Sequence, residues 1–202
     1  MSATALTAAV ALGAAGCGLS DDAPRPGVAA EVDGTVIGVD DLTTLVDAVC
    51  LSTKAGEGTA TSRGAAERGL LQQWIGAEVV AAYAEEYGID VEAPSSRTSS
   101  IPGWDEMSDS EQSAVEDYLD AVGRAQAVMD AAGEEDVPDP DRYDVVINPR
   151  FEIAIEDGQF VDAAGQLSVP VSDTALDAAS SGELTADQIA ALPDSQLCGP
   201  RP

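Results

Sequence analysis

The chain contains no histidine in its 202 residues. That absence excludes Ser-His-Asp and Cys-His catalysis, His-ligated zinc and the usual general base near neutral pH. Basic residues are scarce, with 9 Lys and Arg against 37 Asp and Glu and a formal net charge of -28. A polyanion of this kind is repelled by phosphate backbones, because displacing their counterions needs cations on the protein. Nucleic acid is therefore excluded as a partner, and an anionic lipid surface would repel the chain as well. Aromatic residues are also few, at 4% of the chain. Hydrophobic residues nevertheless make up 45%, so the composition is not that of a disordered chain. Much of the apolar content is Ala and Val, which points to one domain with a core of small side chains.

What is present begins with an uncharged, small and apolar run, MSATALTAAVALGAAG from Met1 to Gly16. It is shorter than the roughly 20 residues needed to span a bilayer, and it matches a secretory leader. The tetrad Ala14-Ala15-Gly16-Cys17 resembles the lipobox of bacterial lipoproteins, although Ala14 stands where Leu is usual and the leader lacks a positive start. The resemblance implies cleavage before Cys17, a diacylglyceryl group on its thiol and an extracytoplasmic protein anchored to the outer face of the cell membrane. The competing reading is an ordinary core helix with a buried thiol. The polar, Pro- and Gly-containing stretch from Leu19 to Gly27 fits a tether better. The expected organisation is a signal peptide over 1–16, a lipid-anchored tether over 17–27 and one folded domain over 28–202.

With Cys17 lipidated, Cys50 and Cys198 remain as an even pair in an oxidising compartment. A bridge between them would stabilise by roughly 4–5 kcal/mol in the loop-entropy account. The alternative is two separate thiols, with Cys50 a small core residue. The polar surroundings of Cys198 favour the bridge.

Along the domain, Asp33-Gly34 between two β-prone runs predicts a two-residue hairpin. Asp40 is expected to cap a helix whose apolar face is Leu42, Leu45, Val46 and Val49. A longer helix is predicted from about Arg63 to Tyr87, with Leu71, Ile75, Val79, Tyr83 and Tyr87 at steps of four and Gly88 as its stop. Ile89 to Trp104 reads as extended, broken by Pro94 and Pro102. Ser108 and Glu111 form a capping box for a third helix, with Val115, Tyr118, Leu119, Val122 and Met129 on one face and Gly133 at its end. After an acidic linker over 134–141 come β-rich runs, Tyr143 to Asn148 and Phe151 to Val161, the second turning at Asp157-Gly158. Leu167 to Val171 reads as one more strand, and Thr185 with Gln188 caps a short terminal helix. The fold class is α+β, mainly helical, with short N- and C-terminal strands forming a small antiparallel sheet.

Candidate chemistry is sparse. Asp136, Asp139, Asp141 and Asp144 lack the order of a calcium loop and are stiffened by Pro138 and Pro140, so a solvated linker is the better reading and no metal or cofactor is expected. Among 37 carboxylates no pair is singled out for hydrolysis, and phosphate-binding and dinucleotide fingerprints are missing. Asn148-Pro149-Arg150-Phe151 is unusual, with a ladder-breaking Pro between two β-like runs. It reads either as a bulge whose Arg pairs with a nearby carboxylate, which is favoured, or as a ligand contact.

The stretch Ala30 to Leu42, a strand pair around Val32-Asp33-Gly34 leading into a helix after a lipobox and tether, resembles the opening of the SurA N-like domain. The long helix ending Tyr87-Gly88-Ile89-Asp90-Val91 is similar to that family's second helix. The Asn148 to Phe151 strand and the Leu192 to Gly199 tail resemble actinobacterial lipoproteins of this type. The resemblance implies a chaperone-like, non-enzymatic module that binds unfolded or extended polypeptides at the cell envelope through an apolar groove. Trp74, Tyr83, Tyr118 and Met129 are the large side chains expected to line that groove. No parvulin isomerase activity is implied, since the histidines of such sites are missing. The rival readings are a structural or assembly lipoprotein with one envelope partner, and an enzyme, either a degenerate SurA-type isomerase relative lacking the catalytic domain or a carboxylate-based hydrolase.

Overall fold

A computed structural model describes residues 25–92, 94, 98–133, 138–163 and 184–201. The leader, Cys17, most of the tether, Asp136 and the strand expected over Leu167 to Val171 lie outside these residues.

The domain opens with strands β1 (Val28–Val32) and β2 (Thr35–Gly38), joined by a two-residue turn. Asp33 and Gly34 both adopt positive φ, 45° and 86°, as that turn requires. β1 is central in a three-stranded antiparallel sheet, between β2 and β4 (Val145–Ile147). Ala29 and Ala30 are both fully buried, and the β1–β2 register shifts between Val28 and Ala30. Small side chains on this strand let the neighbouring elements pack closely against it.

Helix α1 (Val39–Ala55) follows β2 without a loop. Its N-cap is Gly38 rather than Asp40, a correction to the sequence reading. The Val39 N–H donates to Gly27 O at 2.8 Å, which starts the helix early and places Asp40 and Asp41 inside the first turn. There their charges still favour the helix N-terminus. The Asp41 carboxylate folds back over residue 38, so a Cβ there would make it swing aside.

Helix α2 (Arg63–Tyr87) is capped by the Ser62 hydroxyl, which accepts from Ala65 N at 3.1 Å, and it ends at left-handed Gly88. At about 1.5 Å per residue, this 25-residue helix is the longest rod of the described domain. Leu71, Ile75, Val79 and Tyr83 are buried as the four-residue step predicts, while Tyr87 is 52% exposed. Helix α3 (Asp109–Ala132) carries the complete Ser108–Glu111 capping box. Between α2 and α3, the stretch read as extended contains two 3-10 turns, Thr98–Ser100 and Trp104–Glu106.

Strand β4 (Val145–Ile147) pairs with β1, Val32 opposite Val145 and Ala30 opposite Ile147. The run expected as a strand from Phe151 starts only at Ile153, because Pro149–Phe151 forms a 3-10 turn. The Asn148 side chain accepts from Arg150 N at 3.2 Å, its amide donates to Val28 O at 3.0 Å, and Glu152 sits at φ 56°. The hairpin β5 (Ile153–Glu156) and β6 (Gln159–Asp162) turns at Asp157-Gly158 as expected, with both φ positive.

Near the end of the described chain, α4 (Ala186–Ala190) has the Thr185–Gln188 capping box. β7 (Leu197–Cys198) pairs with β3 (Thr61–Ser62). Cys50 and Cys198 are joined in a disulfide that closes a separation of 148 residues and fastens the tail to α1. The main core gathers the sheet, α1 and α2 around residues such as Val32, Ile37, Leu42, Val46, Leu71 and Ile75. The fold is α+β and mainly helical, with short antiparallel strands.

Candidate functional site

Helix α3 changes the face it buries along its length. In its first half Val115 and Tyr118 are buried toward α1, in a cluster with Leu45, Ala48 and Met107. In its second half Val128 is buried with Tyr83 and Ala84 of α2. Two open spaces result.

The first is a cleft of about 370 Å³ between α1 and α3. Leu45, Ala48 and Val49 form one wall, Val115, Tyr118 and Leu119 the other, and Ile101, Pro102 and Met107 close the end. Its volume falls in the range of small-ligand pockets and its lining is almost wholly apolar. Glycine lets the connecting segment come this close. Gly103 has φ 73°, and a Cβ there would stand 2.6 Å from Leu51 Cδ2. Tyr118 forms the polar edge of the floor, its hydroxyl donating to Gln73 Oε1. Burial pushes its phenol up to about 12, so it remains a neutral donor throughout the physiological range.

The second space, of about 560 Å³, lies between α2 and the later turns of α3. Its floor is alanine (Ala77, Ala81, Ala84, Ala121 and Ala125) and its edges carry Glu78, Glu85, Asp90 and Arg124. Glu78 accepts from the Trp74 indole N–H at 3.2 Å. Burial raises the Glu78 pKa above its ordinary value, against the opposing effects of the Trp74 hydrogen bond and the Arg124 charge.

The aromatic and sulfur-bearing residues singled out in the sequence are split by this arrangement. Trp74 and Tyr118 meet edge to face with ring centres 5.9 Å apart. Tyr118 lines the α1–α3 cleft, whereas half-buried Trp74 stands behind it. Tyr83 is buried in the other cluster and stacks on Tyr87 at 4.6 Å. Met129 is half-buried, and the buried side chain of that turn is its neighbour Val128. The cleft is built instead from aliphatic residues. Leu45, Val49, Val115 and Leu119 carry a sequence signal, the helical period, but weight placed on ring size passes over them. Ile101 and Pro102 carry none, because their position depends on how the connecting segment folds back.

Arg150 meets Glu67 at 3.8 Å and lies 4.5 Å above the Phe151 ring, whose side chain is buried. This is the ion-paired reading of the Asn-Pro-Arg-Phe run, realised as a 3-10 turn rather than a bulge. Among the described residues no group of three or more Cys, Asp or Glu is placed to hold a metal ion, and no helix is long and apolar enough to cross a membrane. Comparison with protein-family models, curated proteins and solved structures finds no match.

Proposed function

We propose that this chain is a lipid-anchored, extracytoplasmic module that binds unfolded or extended polypeptides at the cell envelope without catalysing a reaction. The observation that carries the reading is the apolar α1–α3 cleft, an open space lined by Leu45, Val49, Val115 and Leu119, where the Tyr118 hydroxyl donates to Gln73 and the Thr53 hydroxyl to Val49 O. Such a lining takes up apolar side chains without demanding a particular hydrogen-bond pattern. The net charge of -28 keeps the protein and its bound client in solution by self-repulsion. The Cys50–Cys198 disulfide supports residence outside the cytosol, since such bridges persist in oxidising compartments. Two acyl chains on Cys17, at about 0.8 kcal/mol per buried methylene, would hold the polyanion at a membrane that its charge alone would avoid.

The test is the aggregation of a denatured client with and without the soluble domain, alongside the variant Leu119→Glu. The wild-type domain is expected to slow aggregation, and the charged cleft to lose that effect. Equal aggregation rates with and without the wild-type domain would contradict the reading.

A further inference from the structure

Strands β4 and β5 are separated by only five residues, yet they do not pair. β4 belongs to the β2-β1-β4 sheet and β5 to the β5-β6 hairpin. Between them lies a cavity of about 390 Å³ bordered by Tyr143, Val145 and Ile147 on one side and Ile153 and Ile155 on the other. The connection holds it open. Pro149 has no N–H to offer a ladder, and the 3-10 turn followed by left-handed Glu152 prevents closure into a hairpin.

Each of the two strands keeps one edge unpaired among the described residues. In an antiparallel ladder alternate residues turn both N–H and C=O to the neighbouring strand, and those in between turn theirs away. Asn148 N donates to Ala29 O and Asp33 N to Asp144 O, each at 2.9 Å, so positions 144, 146 and 148 serve β1. Val145 and Ile147 therefore direct their N–H and C=O away from β1. On the other side Ala163 N donates to Glu152 O at 2.8 Å and Glu156 faces Gln159 across the turn, so positions 152, 154 and 156 serve β6. Ile153 and Ile155 direct theirs away from β6. Among the described residues no strand takes up either edge.

We infer that the space between β4 and β5 is a slot for one extended polypeptide segment, which enters as a strand and carries Lys or Arg. The inference deepens the polypeptide-binding reading above, on which it rests, by adding a second site that reads backbone rather than side chains. Val145 and Ile147 pack on the main core and Ile153 is buried in it, so these side chains are taken up by the core and the space itself is lined mostly by polar surface, Asp141 included. The surroundings select basic side chains on the incoming strand. Residues 139–163 hold seven carboxylates and two arginines, a net negative charge that persists although Glu152 is ion-paired with Arg68 at 3.3 Å. Both arginines are engaged, Arg142 with Glu86 at 3.4 Å and Arg150 with Glu67 at 3.8 Å. At about 3.3 Å per residue, β4 pairs with a segment of about three or four residues.

The experiment is residue-resolved amide exchange on the full chain, with a synthetic peptide of alternating lysine and valine as the probe. Exchange at Val145, Ile147, Ile153 and Ile155 is expected to slow by about tenfold or more on binding, while Val146 and Ala154, already in ladders, change little. Ile155→Pro removes a donor that β6 does not use, and is expected to weaken binding by roughly fivefold. A peptide N-methylated at alternate amides is expected not to bind. Equal binding of the methylated peptide, binding without slowed exchange at the four amides, or no binding would overturn the slot. Slowed exchange that appears without peptide as protein concentration rises would overturn it too, by assigning the slot to a second copy. In each case client aggregation reports separately whether the polypeptide-binding reading survives.

Discussion

The two spaces that α3 makes with its neighbours differ although they share one helix. Against α1 it presents Val115, Tyr118 and Leu119 and leaves an apolar cleft. Against α2 it presents Ala121, Ala125 and Arg124 and leaves an alanine-floored groove edged by Glu78, Glu85 and Asp90. Side-chain size accounts for the contrast. Leucine, valine and tyrosine wall the space between α1 and α3, whereas alanines floor the other space and charged side chains stand at its rim. The larger opening is thus the more polar one, and size alone is a poor guide to where an apolar client binds.

The sides also differ in how they are fastened. The α1 side carries the disulfide, with Gly199 of the tail packed on Thr53, a residue that also lines the apolar cleft. Cys198→Ser is expected to cost about 4–5 kcal/mol in chemical denaturation, because the bridge closes a separation of 148 residues. A loss below about 1 kcal/mol would mean that the tail is held by packing alone. Tyr118→Phe deletes the hydroxyl that meets Gln73 and keeps the ring against Trp74. It is expected to cost about 1 kcal/mol in the same assay and to leave client binding in the cleft unchanged. The smallest effect belongs to the charged groove. Glu78 has a raised pKa in the folded protein, so folding favours its protonated form, and that contribution fades as pH rises through the folded value. Glu78→Gln is therefore expected to be slightly more stable than wild type at pH 7, with the two thermal unfolding curves converging below the ordinary value of 4.5. A wild-type protein more stable than the variant at pH 7 would show that the Trp74 and Arg124 contacts outweigh burial.

Much of the architecture is legible from local chemistry. The Asp33-Gly34 and Asp157-Gly158 turns, the Ser108–Glu111 and Thr185–Gln188 boxes and the Gly88 stop each use a residue whose backbone or side-chain preference is specific enough to mark a boundary. Where local preference was overruled, a long-range hydrogen bond is responsible. Val39 bonds back to Gly27 and advances α1 past its expected cap, and Asn148 bonds to Val28 and turns what reads as strand into a 3-10 turn. The candidate site was less legible than the fold. Its helical walls follow the apolar period, but the third wall is Ile101-Pro102, placed by Gly103 in a conformation and a space open only to glycine. The change of buried face along α3 is likewise set by two different neighbours, so one stripe drawn down the helix reaches Met129 when the partner helix meets Val128.

The most direct test of the proposed client cleft places a photo-crosslinking amino acid at position 119 in one preparation and at position 121 in another, each mixed with a denatured client and irradiated. Adducts are expected from position 119, in the apolar cleft, and not from position 121, in the alanine groove. Equal adducts from both positions, or adducts only from position 121, would contradict the assignment of client binding to the space between α1 and α3.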